Sequence, residues 1–91
     1  MKPSQRKHAP VFPGFREMAA RRQQLVCELE ARRVSLGLTQ TDVAARMGTS
    51  QSAVARLESG EADVRLSTLE RYAAALSHKL QWHLTPVEEE M

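Results

Sequence analysis

Three glycines, Gly37, Gly48 and Gly60, divide the middle of this 91-residue chain into segments so short that only a small helical bundle can be built from them. Each glycine closes a stretch of helical period. From Phe15 onward, Phe15, Met18, Arg22, Leu25, Leu29, Arg33 and Leu36 recur every three or four residues, which predicts one stripe whose apolar members face the core. Gly37 is expected to end this helix in a left-handed C′ position. The helix is then about 21 residues long, longer than average, with its first turns projecting beyond the domain.

The next two segments are shorter. Thr39-Gln40-Thr41-Asp42 is a variant capping box, followed by Val43, Ala44 and Met47 at helical spacing, and Gly48 stops the helix. Ser50 can cap another helix with Val54 and Leu57 inward, ending at Ser59-Gly60. Ser67-Thr68-Leu69-Glu70 reads as a full capping box opening a fourth helix that buries Leu69, Tyr72, Ala73 and Leu76. After Ser77 the period changes. Leu80, Trp82 and Leu84 alternate with Lys79, Gln81 and His83, as in a short half-buried strand that Pro86 terminates. The expected organisation is a basic, proline-rich arm over 1–14, a helical domain over 15–77, a strand over 78–86 and an acidic tail over 87–91.

Composition narrows the function classes. Aromatic residues make up only 4%, which favours helices over sheet. Residues 1–38 hold eight Lys/Arg against three Asp/Glu, whereas residues 39–91 hold five against eight. A basic amino-terminal half suits a polyanionic partner, although a solvated basic tail has the same charge. The single cysteine, Cys27, forms no intrachain disulfide, which fits a reducing cytoplasm. No apolar run approaches the roughly 20 residues of a membrane span, and Met1 to Pro10 lacks the apolar segment of a secretory signal.

Two short helices joined through Gly48-Thr49 are the signal of a helix-turn-helix. Glycine allows positive φ in the turn, and the small Ala44 and Ala45 let the second helix pack closely across the first. The second helix then presents its outward side chains to a DNA major groove, which is wide enough to admit a helix.

The stretch Leu29 to Leu76 resembles the Cro/C1-type, or Xre, helix-turn-helix family. Arg33, Gly37-Leu38-Thr39-Gln40, Val43-Ala44, Gly48, Ser50-Gln51-Ser52-Ala53-Val54, Leu57-Glu58, Gly60 and Leu66 through Leu76 carry the resemblance. It implies an all-α fold, a lambda-repressor-like bundle of four to five helices with a short C-terminal strand for dimerisation. It implies that Gln40 grips the DNA backbone, and that Gln51, Ser52, Ala55 and Arg56 face the groove. It also implies that Arg33 and Glu58 form a largely buried salt bridge. Physical chemistry is consistent with these roles. Gln51 lies in the first turn of its helix, where base-edge contacts concentrate, and its amide can pair bidentately with adenine. Arg56 lies at the flank of the face, within reach of guanine or a phosphate. Ala55 offers only apolar contact, such as with a thymine methyl. Thr39 and Ser50 can cap their helices and donate to phosphates.

The segment from Leu76 to Leu84 is similar to the end of antitoxin-like members, in which a strand pairs across a dimer; Leu80, Trp82 and Leu84 are then the dimer interface. His78 and His83 would face opposite sides of that strand, so no metal-ligand spacing arises. No nucleophile with an adjacent base, phosphate loop or paired carboxylate site is apparent, and neither an enzyme nor a cofactor is expected. The expected partners are double-stranded DNA and a second copy of the chain. Two functions are open: a repressor on a palindromic operator, or the antitoxin of a toxin–antitoxin pair, which also neutralises a cognate protein toxin.

Overall fold

The computed structural model describes residues 15–60 and 63–86. Four helices follow in order: α1 (Phe15–Ser35), α2 (Gln40–Met47), α3 (Gln51–Ser59) and α4 (Leu66–Ala75). Helix α2 packs on α3 and α4, and α1 closes the other side against the same two helices. The shared core holds Val26 and Leu29 from α1, Val43, Ala44 and Met47 from α2, Val54 and Leu57 from α3, and Leu69, Tyr72, Ala73 and Ala75 from α4, with Leu76 just beyond it.

The two glycine stops around α2 use the same device. Gly37 has φ of 74° and Gly48 has φ of 75°. In each case the glycine N–H and the N–H of the next residue turn back onto the end of the helix. Gly37 and Leu38 donate to Val34 and Arg33 at 2.9 and 3.1 Å; Gly48 and Thr49 donate to Ala45 and Ala44 at 3.3 and 2.9 Å. This pairing satisfies carbonyls that a helix end leaves open, and glycine adopts the left-handed backbone without a Cβ clash. Helix α4 closes in the same way, with Ser77 and His78 donating to Ala74 and Ala73, but there the left-handed residue is Ser77, at φ 63°.

Three expectations need correction. The α1 stripe is rotated: Val26 is buried, Leu25 is half-buried, and Met18 and Leu36 are 54% and 48% exposed. Val26 and Leu29 enter the core, Leu25 packs beside it and Arg33 reaches Glu58 of α3, whereas Leu36 follows the last helical residue. The box Ser67-Thr68-Leu69-Glu70 does not cap α4. The helix starts at Leu66 after Arg65, which makes no side-chain cap hydrogen bond. Ser67 is already helical, and a cap oxygen must sit on an extended residue to reach back to the helix N–H groups. Finally, residues 78–86 carry no strand, and no strand occurs among the described residues. A strand needs the backbone of a second strand for its hydrogen bonds, and none lies beside this segment among the described residues. Leu80 packs against the core, Trp82 is half-exposed with its indole N–H donating to Glu70 at 3.2 Å, and Leu84 is fully exposed.

The arm over 1–14 and the acidic tail over 87–91 lie outside the described residues. Among those described, no helix is long and apolar enough to cross a membrane.

Candidate nucleic-acid interface

Both helices of the turn motif begin with a well-made cap. Thr39 is extended, its hydroxyl accepts from the Asp42 N–H at 3.0 Å, and the Asp42 carboxylate accepts from the Thr39 N–H at 2.8 Å. The Thr39 N–H, and after it the Thr39 hydroxyl, hold the Asp42 carboxyl below its ordinary range. Ser50 accepts from the Ala53 N–H at 3.1 Å, and its hydroxyl lies 3.2 Å from that of Ser52. Only part of each helix's first-turn N–H set is consumed by these bonds, and helix amino-termini favour anions.

Behind the caps lies a connected polar cluster centred on Glu58, whose side chain is 4% exposed. One carboxylate oxygen accepts Arg33 Nη2 at 3.1 Å and Gln40 Nε2 at 2.9 Å. The other accepts Arg33 Nε at 2.7 Å and the Tyr72 hydroxyl. Arg33 spends its remaining reach on the Leu38 carbonyl at 2.8 Å, which ties the α1–α2 connection to the cluster. Burial alone pushes the Glu58 carboxyl up, but donation from Arg33, Tyr72 and Gln40 outweighs it, and the group stays below the usual carboxylate range. The hydrogen bond that Arg33 donates to Glu58 raises Arg33 further, and burial, then the bond to Glu58, pushes the Tyr72 phenol well up. The carboxylate therefore stays ionised and the phenol stays protonated at neutral pH. No buried side-chain nitrogen or oxygen among the described residues lacks a hydrogen-bond partner.

The cluster reaches the surface through Gln40. Its amide oxygen accepts Gln51 Nε2 at 2.6 Å, so the first residues of α2 and α3 are joined side chain to side chain. The structure thus gathers Thr39, Gln40, Ser50, Gln51 and Ser52 at the paired starts of the two helices. Gln51, Ser52 and Arg56 are exposed, Gln40 is half-buried, and Ala55 is half-buried one turn beyond Gln51 on the same side of α3. Arg56 is displaced roughly 140° around the helix from Gln51, at the flank of that face. Leu80, Trp82 and Leu84 lie away from this cluster, on the segment after α4.

Sequence reasoning did not identify the Tyr72 hydroxyl or the Leu38 carbonyl as members of the cluster. A tyrosine at a core position was the available signal for the first, since a buried phenol needs a hydrogen-bond partner. Nothing in the residue type of Leu38 marks its carbonyl. Arg46 was also missed; it donates to the Ala75 carbonyl at 2.9 Å and fastens α2 to the end of α4.

The helix-turn-helix family model matches residues 29–82, from the last third of α1 into the segment after α4. The chain is also 43% identical over 72 residues to the protein named antitoxin HigA1 in two strains of Mycobacterium tuberculosis, CDC 1551 / Oshkosh and ATCC 25618 / H37Rv. The match covers 79% of this chain and 48% of each relative, so the chain spans about half the length of the curated relatives it matches. With that match laid over capped, crossed helices and an Arg33–Glu58 pair, the chain belongs to the Cro/C1-type, or Xre, helix-turn-helix family and resembles its antitoxin members.

Proposed function

We propose that this protein is a sequence-specific DNA-binding regulator of transcription, a repressor that acts as a dimer on a palindromic operator. The observation that carries the reading is the joined start of α2 and α3, where Gln51 and Ser52 are exposed beside two capped helix amino-termini. Thr39, Ser50 and Gln40 bind phosphates and set the register, while Gln51, Ser52 and Ala55 meet base edges and Arg56 reaches a base or a phosphate. The dimer forms through residues 78–86, with Leu80, Trp82 and Leu84 at the interface and the two α3 helices in successive major grooves about 34 Å apart. An apolar groove of about 570 Å³ between α1 and this segment, lined by Leu25, Leu29, Leu76 and Leu80, supports an interface on this side. The test combines mass in solution with anisotropy titrations on duplexes selected from a random pool. A dimeric species whose affinity for one palindrome exceeds that for random duplex fits the reading; indifference to duplex DNA even at low ionic strength ends it.

A second reading rests on the relatives' name. As an antitoxin, the protein neutralises a small protein toxin by direct contact and uses the same DNA surface to autoregulate its operon. Co-expression with the product of a neighbouring small gene, followed by co-purification and rescue of growth, separates this from a stand-alone repressor. Neither reading calls for an enzyme activity.

A further inference from the structure

Each helix is followed by a left-handed residue, and after α1, α2 and α3 that residue is a glycine: Gly37, Gly48 and Gly60. After α4 it is Ser77, at φ 63°. An L side chain costs free energy in that conformation, and such outliers cluster at sites that bind or react. Glycine would make the same turn, because the bonds from Ser77 and His78 to Ala74 and Ala73 use only backbone N–H groups. The Ser77 side chain is exposed and makes no hydrogen bond among the described residues.

Ser77 lines an open depression of about 330 Å³ with Arg46 and Met47 of α2 and Arg71, Ala74 and Ala75 of α4. Met47 and Ala75 are buried, whereas Arg46, Arg71 and Ser77 are exposed. No acidic residue lines it. Asp42, one turn before Arg46, gives its carboxylate to the Thr39 cap. Arg46 is held by one N–H, donated to the Ala75 carbonyl at 2.9 Å, which leaves the rest of its donor fork open. Arg71 has neither a hydrogen bond nor an ion pair among the described residues. A cation at the carboxy-terminal end of α4 accounts for Arg46 by itself. It accounts neither for a second, unpaired arginine nor for a serine where glycine is easier.

We propose that Arg46, Arg71 and Ser77 form a binding site for a phosphate dianion, either inorganic phosphate or the phosphate of a small monoester. Guanidinium forks match phosphate oxygens in pairs. A phosphate monoester has three free oxygens and carries close to two charges at neutral pH, which meets two arginines and a hydroxyl. A carboxylate has two oxygens and one charge, and leaves part of that donor set unused. The depression lies at the end of α2, about 10 Å along the helix from Gln40 at the candidate DNA face. The proposal is therefore independent of the DNA-binding reading. Ser77 is also where the chain leaves α4 for residues 78–86, so a phosphate held there ties that exit to α2.

The test is an amide NMR titration of the full chain at pH 7.5, with ionic strength balanced by chloride. The added anions are inorganic phosphate, glycerol phosphate and acetate. Saturable shifts at Arg46, Arg71 and Ser77 are expected with the two phosphates, and the tighter of them identifies the source. Arg71→Gln is expected to weaken that binding by roughly tenfold or more. Ser77→Gly keeps the turn and is expected to weaken it by roughly threefold or more. Circular dichroism verifies that both variants are folded. Shifts that do not saturate, acetate bound as tightly as phosphate, or an unchanged affinity in Arg71→Gln overturns the proposal. So does a loss of duplex DNA affinity by Arg71→Gln in phosphate-free buffer, which would assign the arginine to the DNA surface instead.

Discussion

Tyr72, with none of its surface exposed, donates its phenolic hydrogen to the Glu58 oxygen that also accepts Arg33 Nε at 2.7 Å. A side chain from the middle of α4 and one from the last turn of the chain's long helix thus hold a single carboxylate near the end of α3. That carboxylate is also the anchor for the surface glutamines. Core stability and the geometry of the candidate DNA face share one group.

Tyr72→Phe keeps the ring in the core and removes only the hydroxyl. The second Glu58 oxygen then loses one of its two donors. A hydrogen bond to a charged group contributes about 1.5–3 kcal/mol, and urea unfolding should show a loss in that range with an unchanged slope. A loss below about 0.5 kcal/mol would mean that the phenol contributes little to the cluster.

Arg33→Met is expected to cost more, about 3–5 kcal/mol, because it leaves a buried charge without its bidentate partner and also frees the Leu38 carbonyl. Adding Glu58→Leu should recover part of that loss. A double-mutant cycle on unfolding free energies measures the coupling, and simple additivity of the two changes would contradict it.

Acid should unfold this protein partly through Glu58. Its carboxyl lies below the ordinary range in the folded state, the donors from Arg33, Tyr72 and Gln40 outweighing burial. A folded pKa below the unfolded one contributes stability that is fully present above the unfolded value, about 4.3 for glutamate. That stability is lost as pH falls from there through the lower folded value. The urea midpoint should therefore drop below about pH 4.3, and Glu58→Gln, less stable at neutral pH, should lose less over the same interval. An identical pH dependence in both proteins would count against the assignment.

Ser77 holds the left-handed position that Gly37, Gly48 and Gly60 hold at the ends of the other three helices. An L side chain there costs about 1–2 kcal/mol, and glycine's extra freedom in the unfolded chain takes back part of the difference. Ser77→Gly should raise stability by about 0.5–1 kcal/mol, whereas Gly48→Ala should lower it by about 1 kcal/mol. Thermal unfolding of both variants checks the pair of signs.

Arg56→Ala should weaken binding to the selected operator, and titrations at two salt concentrations on matched and mismatched sites say how. Loss of about 1–3 kcal/mol on the matched site alone marks guanine recognition; a uniform loss with a salt slope lower by about one marks a phosphate contact. Equal binding by variant and wild type removes Arg56 from the interface.

What the sequence by itself determined is local. Gly37 and Gly48 demand left-handed turns, Thr39 with Asp42 and Ser50 cap the helices they precede, and Val43, Val54, Leu57 and Leu69 keep the helical period, because each of these requirements is met within one turn of backbone. What only the tertiary structure decided depends on elements distant in the chain. Val26 rather than Met18 is buried, since short α3 and α4 cover only part of α1. Helix α4 begins at Leu66 rather than behind the Ser67 box, since the backbone at Ser67 is already helical when the core is packed. Residues 78–86 make no strand, since a strand needs a second strand beside it and the described residues supply none. The hydrogen bond from Tyr72 to Glu58 and the ordered line from Glu58 through Gln40 to Gln51 also belong here: side chains far apart in sequence meet only when the helices cross, and the direction of each bond is set by which neighbour can donate and which can only accept.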